Sequence, residues 1–428
     1  MRAPSKHEQT LGCIGVAAVL GALHCGSPLA ASSVLEIPRA APARLTASAP
    51  ERTLTGEPSG LSSFSSEVVA APALEAIRSG MYWRGAGRAF DGTLRGDWDT
   101  SSALLVVYNR SWQSAIGRLL DYAHDDLPVY VLATPIDARS ASFRRWFASV
   151  PFAGLVSIAL DTPWIRDYGP LEVQSESGIS WLDLIYAPED RPLDDAVPGL
   201  LGEVFETPPR TEQFQLEGGG IISSGDGLCG MTEASLQELG LPTADAETWE
   251  HFLETIGCRT LARLPELPLE ATGHADMLAQ FLSPTQVAIA VPTPESAPEV
   301  GEALRGVRRA LIQAADAHGR QLEFVELPMV NVEDRYYSYV NGLRTPSHYF
   351  VPSYSFVDRA LEEEAHQRLA RALQGVQVVG VDSDEMIENG GAIHCVTLGL
   401  KHPLLPRAHR LPGRVASAGK PGLRRGRR

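Results

Sequence analysis

The chain has 428 residues, with 52 Asp and Glu against 37 Lys and Arg, and a formal net charge of −15 at pH 7. This length is enough to bury a large core without disulfide or metal cross-links. An acidic chain is a poor match for nucleic acid as the main partner, whereas it suits a cationic substrate.

The first 31 residues have the pattern of a secretory signal peptide. Arg2 and Lys6 precede an uncharged run over residues 11–23, and small residues follow at 30–31. The apolar run is too short for a bilayer, which requires about 20 residues. We therefore expect a secreted or periplasmic protein, with lipid attachment at Cys25 as the alternative.

Three further segments follow the signal. Residues 32–62 are rich in Ala, Ser, Pro and Thr without an apolar period, which predicts a flexible linker. Residues 63–402 are predicted to form the folded domain, and none of its windows is apolar enough to predict a transmembrane segment. Residues 403–428 carry eight Lys and Arg and no acidic residue, which predicts a basic disordered tail.

The folded domain alternates short β-rich runs with amphipathic helical stretches, which is an α/β pattern. Strands bounded by Pro, Gly or Asp are predicted at 103–108, 129–133, 154–160, 286–291, 323–327, 349–352 and 376–381. Helices with apolar residues at three- and four-residue spacing are predicted at 111–124, 247–256, 297–317 and 358–373. Glycines that precede apolar runs after Glu217 and Glu388 hint at internal repeats.

The folded domain contains three cysteines, Cys229, Cys258 and Cys395, with no CxxC spacing. This count does not indicate a disulfide framework or a zinc site. At least one of the thiols should be free unless it pairs between chains. A free thiol in an exported protein invites a catalytic explanation.

Two stretches in the first half of the body offer charged residues next to turn-forming ones. Arg166 and Asp167 lie between prolines and a glycine, where an isolated pair is more often a structural ion pair. Glu217 precedes three glycines, which allow a close backbone approach. This carboxylate is equally suited to contact a ligand or to cap a loop.

Two later stretches offer groups for proton transfer and nucleophilic attack. In an extended segment His274 and Asp276 would share a face. Cys395 ends an apolar run opened by glycines, although most such cysteines are inert core residues. His394 would point to the opposite face of that strand, so His274 is the better partner for Cys395.

Five motifs in this order resemble the family of bacterial (Porphyromonas-type) peptidylarginine deiminases and agmatine deiminases. They are Trp164-Ile-Arg-Asp167, Glu217-Gly-Gly, Gly273-His-Ala-Asp276, Ser338-Tyr-Val-Asn341 and Gly390-Gly-Ala-Ile-His-Cys395. The resemblance implies the pentein-type α/β-propeller, with five pseudo-symmetric ββαβ-like units, and makes residues 63–402 a deiminase catalytic domain.

The chemistry of these residues agrees with that resemblance. Asp167 and Asp276 can hold a guanidinium group through charge-assisted hydrogen bonds. Cys395 would then attack the guanidinium carbon, with His274 as the general acid and base. The resemblance implies that Asn341 is a polar partner of the cysteine. No metal or organic cofactor is needed.

The predicted substrate-binding residues are Trp164, Glu217 and Arg191. Trp164 would wall the alkyl stem of the substrate, and Arg191 begins Arg-Pro-Leu-Asp-Asp, similar to a loop that carries substrate-binding arginines in the peptidylarginine type. Glu189 stands where that loop has another arginine, and Gly220 stands where the family often has Asn. The Glu189 departure bears on whether the loop can recognise the C-terminal carboxylate of a peptide.

We expect an arginine-containing peptide or protein as substrate, converted to peptidylcitrulline and ammonia. The alternatives are agmatine, converted to N-carbamoylputrescine, and a guanidine-binding protein of the same fold without turnover. A metal hydrolase that uses His274, Asp276 and Cys395 is a further alternative, although no metal-binding spacing supports it.

Overall fold

The computed structural model describes residues 34–36, 82–84, 92–150, 153–188, 190–332 and 335–402, all within one compact unit. The predicted signal peptide, the basic tail, Cys25 and Glu189 lie outside the described residues. Within the predicted linker, Val34–Glu36 form a short strand. No helix in the described part of the chain is long and apolar enough to span a membrane.

Helices and strands alternate along the described chain, as the apolar periodicity predicts. The strands are β1 (Val34–Glu36), β2 (Tyr82–Arg84), β3 (Thr93–Leu94), β4 (Ala103–Val107), β5 (Val129–Ala133), β6 (Ala153–Ser157), β7 (Leu171–Ser175), β8 (Gly178–Ile185), β9 (Arg210–Gln215), β10 (Ile221–Ser223), β11 (Leu228–Thr232), β12 (Thr260–Leu264), β13 (Ala279–Phe281), β14 (Gln286–Pro292), β15 (Glu323–Val332), β16 (Arg335–Ser338), β17 (Leu343–Arg344), β18 (His348–Ser353), β19 (Gln377–Asp382) and β20 (Thr397–Leu400). The helices are α1 (Gln113–Asp126), α2 (Pro135–Arg139), α3 (Ala141–Phe147), α4 (Ile165–Tyr168), α5 (Pro192–Asp195), α6 (Val197–Phe205), α7 (Glu233–Glu238), α8 (Ala246–Ile256), α9 (Pro298–His318), α10 (Arg359–Ala372) and α11 (Asp384–Ile387), with 3-10 turns at Gly218–Gly220, Leu241–Thr243 and Ala275–Met277.

These strands form five sheets, and each sheet contains one ββαβ unit. In β7-β8-β9, β10-β11-β12, β13-β14-β15 and β17-β18-β19 the first pair is antiparallel and the third strand is parallel to the second. The fifth unit combines the two ends of the domain, because β20 pairs antiparallel with β4 and β4 pairs parallel with β5. The predicted α/β fold with five pentein-type units is confirmed.

Apolar periodicity explains how each unit closes on its helix. Every residue of Ala103–Val107 is buried, which is typical of a strand covered on both faces. Helix α1 turns Ile116, Leu120 and Ala123 toward a core that also contains Leu104 and Val106. Burying such a face stabilises the helix more than its intrinsic propensity does.

A turn precedes the first strand of each unit, and each of these turns carries one of the five motifs. They are α4 before β7, Gly218–Gly220 before β10, Ala275–Met277 before β13, residues 339–342 before β17 and residues 393–396 before β20. The repeat of the fold therefore places one motif at the same position of every unit.

The predicted local secondary structure is wrong at two of the motif residues. Asp276 lies in a 3-10 turn rather than in an extended segment, and Cys395 lies in a turn rather than in a strand. The physical reason is that backbone amides in these two segments donate to carbonyls three residues earlier, so they need no partner on a neighbouring strand. The amide of Leu278 donates to the carbonyl of Ala275, and the amide of Thr397 donates to that of His394.

Of the three cysteines of the folded domain, two form a disulfide and one is a free thiol. Cys229 on β11 and Cys258 just before β12 form a disulfide, with their Cα atoms 5.8 Å apart. Cys395 is the free cysteine of the described chain, and it is buried. The prediction that at least one thiol of the body is free is confirmed.

Candidate active site

Four of the five motif turns line a cavity of about 290 Å³. It is lined by Trp164, Asp167, Arg191, Glu217, Glu238, Ala271, Thr272, His274, Asn389, Gly390 and Cys395. Six of the eight residues predicted from the sequence line this cavity. The other two, Asp276 and Asn341, contact Cys395 from behind it, so the structure brings the whole predicted set together.

Cys395 is held against polar side chains from two neighbouring units. Its Sγ atom lies 3.4 Å from Nδ2 of Asn341 and 4.0 Å from Oδ2 of Asp276. Its carbonyl accepts a hydrogen bond from the amide of Arg166, which ties the cysteine turn to the turn that carries Asp167. The thiol is 4 % exposed, so its access to solvent is through the cavity.

His274 is anchored by a carboxylate on each side. Its Nε2 lies 2.8 Å from Oε2 of Glu217, and its Nδ1 lies 3.6 Å from Oδ1 of Asp167. Burial alone lowers the pKa of His274, but Asp167, Glu217 and Asp276 outweigh burial and raise this pKa to about 10. His274 is therefore an imidazolium at neutral pH, able to give up a proton.

Asp167 and Asp276 each keep one buried oxygen without a donor among the described residues, namely the Oδ1 atom. A buried carboxylate oxygen without a donor is costly unless a ligand supplies one. Burial raises the pKa of Asp167 to about 7, and the neighbouring Glu217 and Asp276 act in the same direction. Two such carboxylates, both close enough for their charges to act on the thiol of Cys395, suit a group with several N–H donors and a positive charge.

The same burial keeps Cys395 in its thiol form. Desolvation raises the pKa of Cys395 well above its usual value, and the charges of Asp276 and Asp167 raise it further. A cation bound between the two carboxylates would counter both effects, because it neutralises the charge that disfavours the thiolate.

Glycines allow the motif turns to approach one another. A Cβ atom on Gly219 would lie 2.5 Å from Nδ1 of His274 and 2.7 Å from Oδ1 of Asp167. A Cβ atom on Gly391 would lie 2.9 Å from Sγ of Cys395. The glycines of the Glu-Gly-Gly and Gly-Gly-Ala-Ile-His-Cys motifs are therefore required by close packing around the reacting groups.

The outer part of the cavity combines an aromatic wall with charges of both signs. The Trp164 ring packs against Trp112, with ring centroids 5.3 Å apart. Arg191 donates a hydrogen bond of 2.8 Å to the hydroxyl of Tyr186. Glu238 at the end of α7 supplies a carboxylate that sequence reasoning missed, because no motif surrounds it.

A second set of missed residues lies behind Asp276. The His394 side chain is 1 % exposed, and its Nδ1 lies 2.6 Å from Oδ2 of Asp276. His394 and Cys395 therefore both contact Oδ2 of Asp276, and this relationship carries no signal in the sequence.

One group in the described chain has the geometry to hold a metal ion. Asp167, Glu217 and His274 can place one ligand atom each within 4.8 Å of one another. This trio differs from the His274, Asp276 and Cys395 set considered from the sequence. Its His274 and Glu217 atoms already contact each other, so a metal ion would have to break that interaction.

The comparison with known proteins places this site in a family. Residues 98–400 match the family model of the Porphyromonas-type peptidyl-arginine deiminases. The chain belongs to that family. The predictions of family and of an amidine-hydrolysing enzyme class are confirmed at this level.

Individual members of this family agree with the match. A Vibrio parahaemolyticus protein that carries the name agmatine deiminase is 27 % identical over 279 residues, which are 57 % of this chain and 76 % of that protein. A Lactococcus lactis protein of the same name is 29 % identical over 282 residues, 57 % of this chain and 75 % of that protein.

Solved structures share the fold. The agmatine deiminase of Enterococcus faecalis superposes with a TM-score of 0.64 at 22 % identity and covers 75 % of this chain and 99 % of its own. A Porphyromonas gingivalis protein named as an arginine deiminase also gives 0.64, at 16 % identity, with 73 % and 99 % covered.

Proposed function

We propose that this deiminase-family chain hydrolyses a guanidinium group to a ureido group and ammonia, with Cys395 as the nucleophile. The observation that carries the proposal is that Asp167 and Asp276, whose charges act on the free thiol of Cys395, each keep one buried Oδ1 atom without a donor. A guanidinium ion offers planar N–H donors that match two carboxylates.

In the first half of the reaction, the bound guanidinium draws the pKa of Cys395 downward, and the thiol releases its proton to the solvent in the cavity, because His274 is already protonated. The thiolate attacks the central carbon, so that a C–S bond forms and a tetrahedral centre results. The imidazolium of His274 donates its proton to the departing nitrogen, the C–N bond breaks, and ammonia leaves. An amidino-thioether on Cys395 remains.

In the second half, the neutral His274 removes a proton from water, and the resulting hydroxide attacks the same carbon. As the C–S bond breaks, the hydroxyl of the tetrahedral centre loses its proton to the departing sulfur, which restores the thiol, and the ureido product leaves while His274 keeps the proton taken from water. Glu217 holds the imidazole ring in place through both halves. The sum is one guanidinium and one water converted to one ureido group and one ammonium ion.

For the substrate we propose a small guanidine with a second cation at its far end, of which agmatine is the simplest. The sequence predicts an arginine peptide as substrate, but the Vibrio and Lactococcus relatives carry the name agmatine deiminase. The cavity of about 290 Å³ and the carboxylates of Glu217 and Glu238 also support this choice. An ammonium group close to those carboxylates would be attracted to them.

A second candidate is an arginine peptide that presents a carboxylate. Arg191 supports it, because its side chain lines the cavity and is 35 % exposed. A guanidinium beside the cavity would attract a C-terminal carboxylate and repel the ammonium of agmatine. Arg191 and Glu238 therefore favour opposite substrates.

The experiment is a side-by-side measurement of ammonia release from agmatine, free arginine and arginine peptides by the purified protein. We expect the highest kcat/KM for agmatine, and no release from any of them by Cys395→Ser. A kcat/KM for a C-terminal arginine peptide above that for agmatine would reverse the substrate order. No release from any guanidine would refute the proposed activity.

We also propose that the protein acts outside the cytoplasm. The signal-like pattern of residues 1–31 supports this location, and so does the Cys229–Cys258 disulfide, since such bonds persist in oxidising compartments. N-terminal sequencing of the protein recovered from the medium or periplasm would test it.

A further inference from the structure

A chain of charged groups, buried except for the half-buried Asp97, extends from Asp276 away from the lining of the cavity. Oδ2 of Asp276 accepts from Nδ1 of His394 at 2.6 Å. Nε2 of His394 lies 3.5 Å from Oδ2 of Asp97, and Oδ1 of Asp97 accepts from Nη1 of Arg166 at 3.1 Å. Neither Asp97 nor His394 is among the residues that line the cavity.

This chain determines which oxygen of Asp276 is left without a donor. Because His394 occupies Oδ2, the Oδ1 atom is the one left without a donor. A carboxylate with a free side-chain torsion would sample several orientations, whereas a contact of 2.6 Å to an imidazole that is 1 % exposed fixes one.

The charges of the chain alternate in sign, which explains why such groups tolerate burial. Burial and Arg166 lower the pKa of His394, but Asp97 and Asp276 outweigh them, so that this pKa is raised above its ordinary value. The pKa of Asp97 is well below its usual range, since Arg166, His394 and Arg95 outweigh its burial. The buried imidazole hydrogen-bonds Asp276, and its Nε2 lies 3.5 Å from Asp97, so that a positive charge on the ring offsets both carboxylates.

Arg166 connects this chain to the nucleophile. Its side chain contacts Asp97, while its backbone amide donates to the carbonyl of Cys395. The orientation of Asp276 and the position of the cysteine turn are therefore set by one connected group of residues.

We propose that His394 and Asp97 are positioning residues for the reaction, which hold Asp276 so that its Oδ1 atom receives the amidinium group beside Cys395. This inference rests on the proposed function, because it assumes that Asp276 binds an amidinium. It assigns a role to the His of the Gly-Gly-Ala-Ile-His-Cys motif and to an aspartate outside all five motifs.

The test compares two alkylating agents on the full-length protein. In 2-chloroacetamidine and chloroacetamide, Sγ of Cys395 displaces chloride to form the same C–S bond, but only the amidine carries a planar cation. The ratio of the two alkylation rates, followed by intact mass, reports how well the carboxylates hold an amidinium. It needs neither turnover nor knowledge of the natural substrate.

We expect the wild-type protein to favour the amidine and His394→Gln to lower the ratio about tenfold or more, as for loss of a charged hydrogen bond. Asp97→Asn should lower it in the same direction. His348→Gln is the matched control, because His348 also contacts a buried carboxylate, Asp126 at 2.9 Å, but does not line the cavity. Its ratio should equal that of the wild type.

Thermal melting separates misfolding from misorientation. A folded His394→Gln variant with the wild-type ratio would overturn the inference. If that variant does not fold, Asp97→Asn decides, and an unchanged ratio there would overturn it. A wild-type protein without any preference for the amidine would overturn both this inference and the proposed function, whereas an unchanged ratio in a variant overturns the inference alone.

Discussion

Nδ2 of Asn341 lies 3.4 Å from Sγ of Cys395, on the turn of the neighbouring unit. An amide donor directed at sulfur stabilises the thiolate more than the thiol. The position of the Asn341 amide is set by the fold, because the backbone amide of His394 donates to the carbonyl of Asn341 and holds the two turns together.

We predict that Asn341→Ala lowers kcat about tenfold to a hundredfold with little change in KM, as expected for a lost charge-assisted hydrogen bond. Steady-state kinetics on the best substrate measures the effect. Asn109→Ala, a half-buried asparagine outside the cavity, is the control. An Asn341→Ala variant with full kcat would show that the amide does not assist the sulfur.

Cys395→Ser should abolish ammonia release and leave the fold intact. A serine hydroxyl is far harder to deprotonate than a thiol, and the cavity offers no stronger base. Circular dichroism and thermal melting check the fold. Release at more than a few per cent of the wild-type rate would remove Cys395 as the nucleophile.

Asp167→Asn and Asp276→Asn should each lower kcat/KM by roughly two to four orders of magnitude. Each substitution removes a charge-assisted contact worth about 3 kcal/mol or more in a water-poor site. Asp121→Asn, on the exposed face of α1, is the matched control. Normal turnover with reduced thermal stability would indicate that the two carboxylates are only structural.

The pH profile of kcat/KM follows from the two shifted groups. Asp167 has a pKa of about 7 and must be ionised to hold a cation, so activity should rise as the pH rises through about 7. His274 has a pKa of about 10 and must be protonated to act as the acid, so activity should fall as the pH rises through about 10.

Glu217→Gln tests the assignment of the upper limb of this profile. Loss of the Glu217 carboxylate removes a charge that raises the pKa of His274, so the upper limb should move to lower pH. The lower limb should move down as well, because Glu217 also raises the pKa of Asp167. An unchanged profile in this variant would assign both limbs to other groups.

The two charges in the outer cavity give a reciprocal test of substrate choice. Arg191→Ala should raise the ratio of kcat/KM for agmatine over that for a C-terminal arginine peptide. Glu238→Gln should lower the same ratio. We expect each shift to be about threefold to tenfold, because both groups are partly exposed and their charges are screened. If both variants kept the wild-type ratio, neither charge would contact the far end of the substrate.

Local patterns in the sequence determined much of the fold. Strands such as β5 and helices such as α8 and α9 begin and end within two residues of their predicted bounds, because their apolar spacing is set by local geometry. The motif order also identified the family, and with it the residues that surround the cavity. These features depend on short stretches that can be interpreted without their neighbours.

Tertiary structure alone decided the remainder. The pairing of β20 with β4 joins residues almost 300 positions apart, and no local pattern encodes that contact. No local pattern encodes the salt bridge from Asp97 to Arg166 or the place of Glu238 in the cavity wall either. Side chains from separate turns became a site only because five similar units direct their turns toward one cavity, where burial then shifts the pKa values of Asp167, His274 and Cys395.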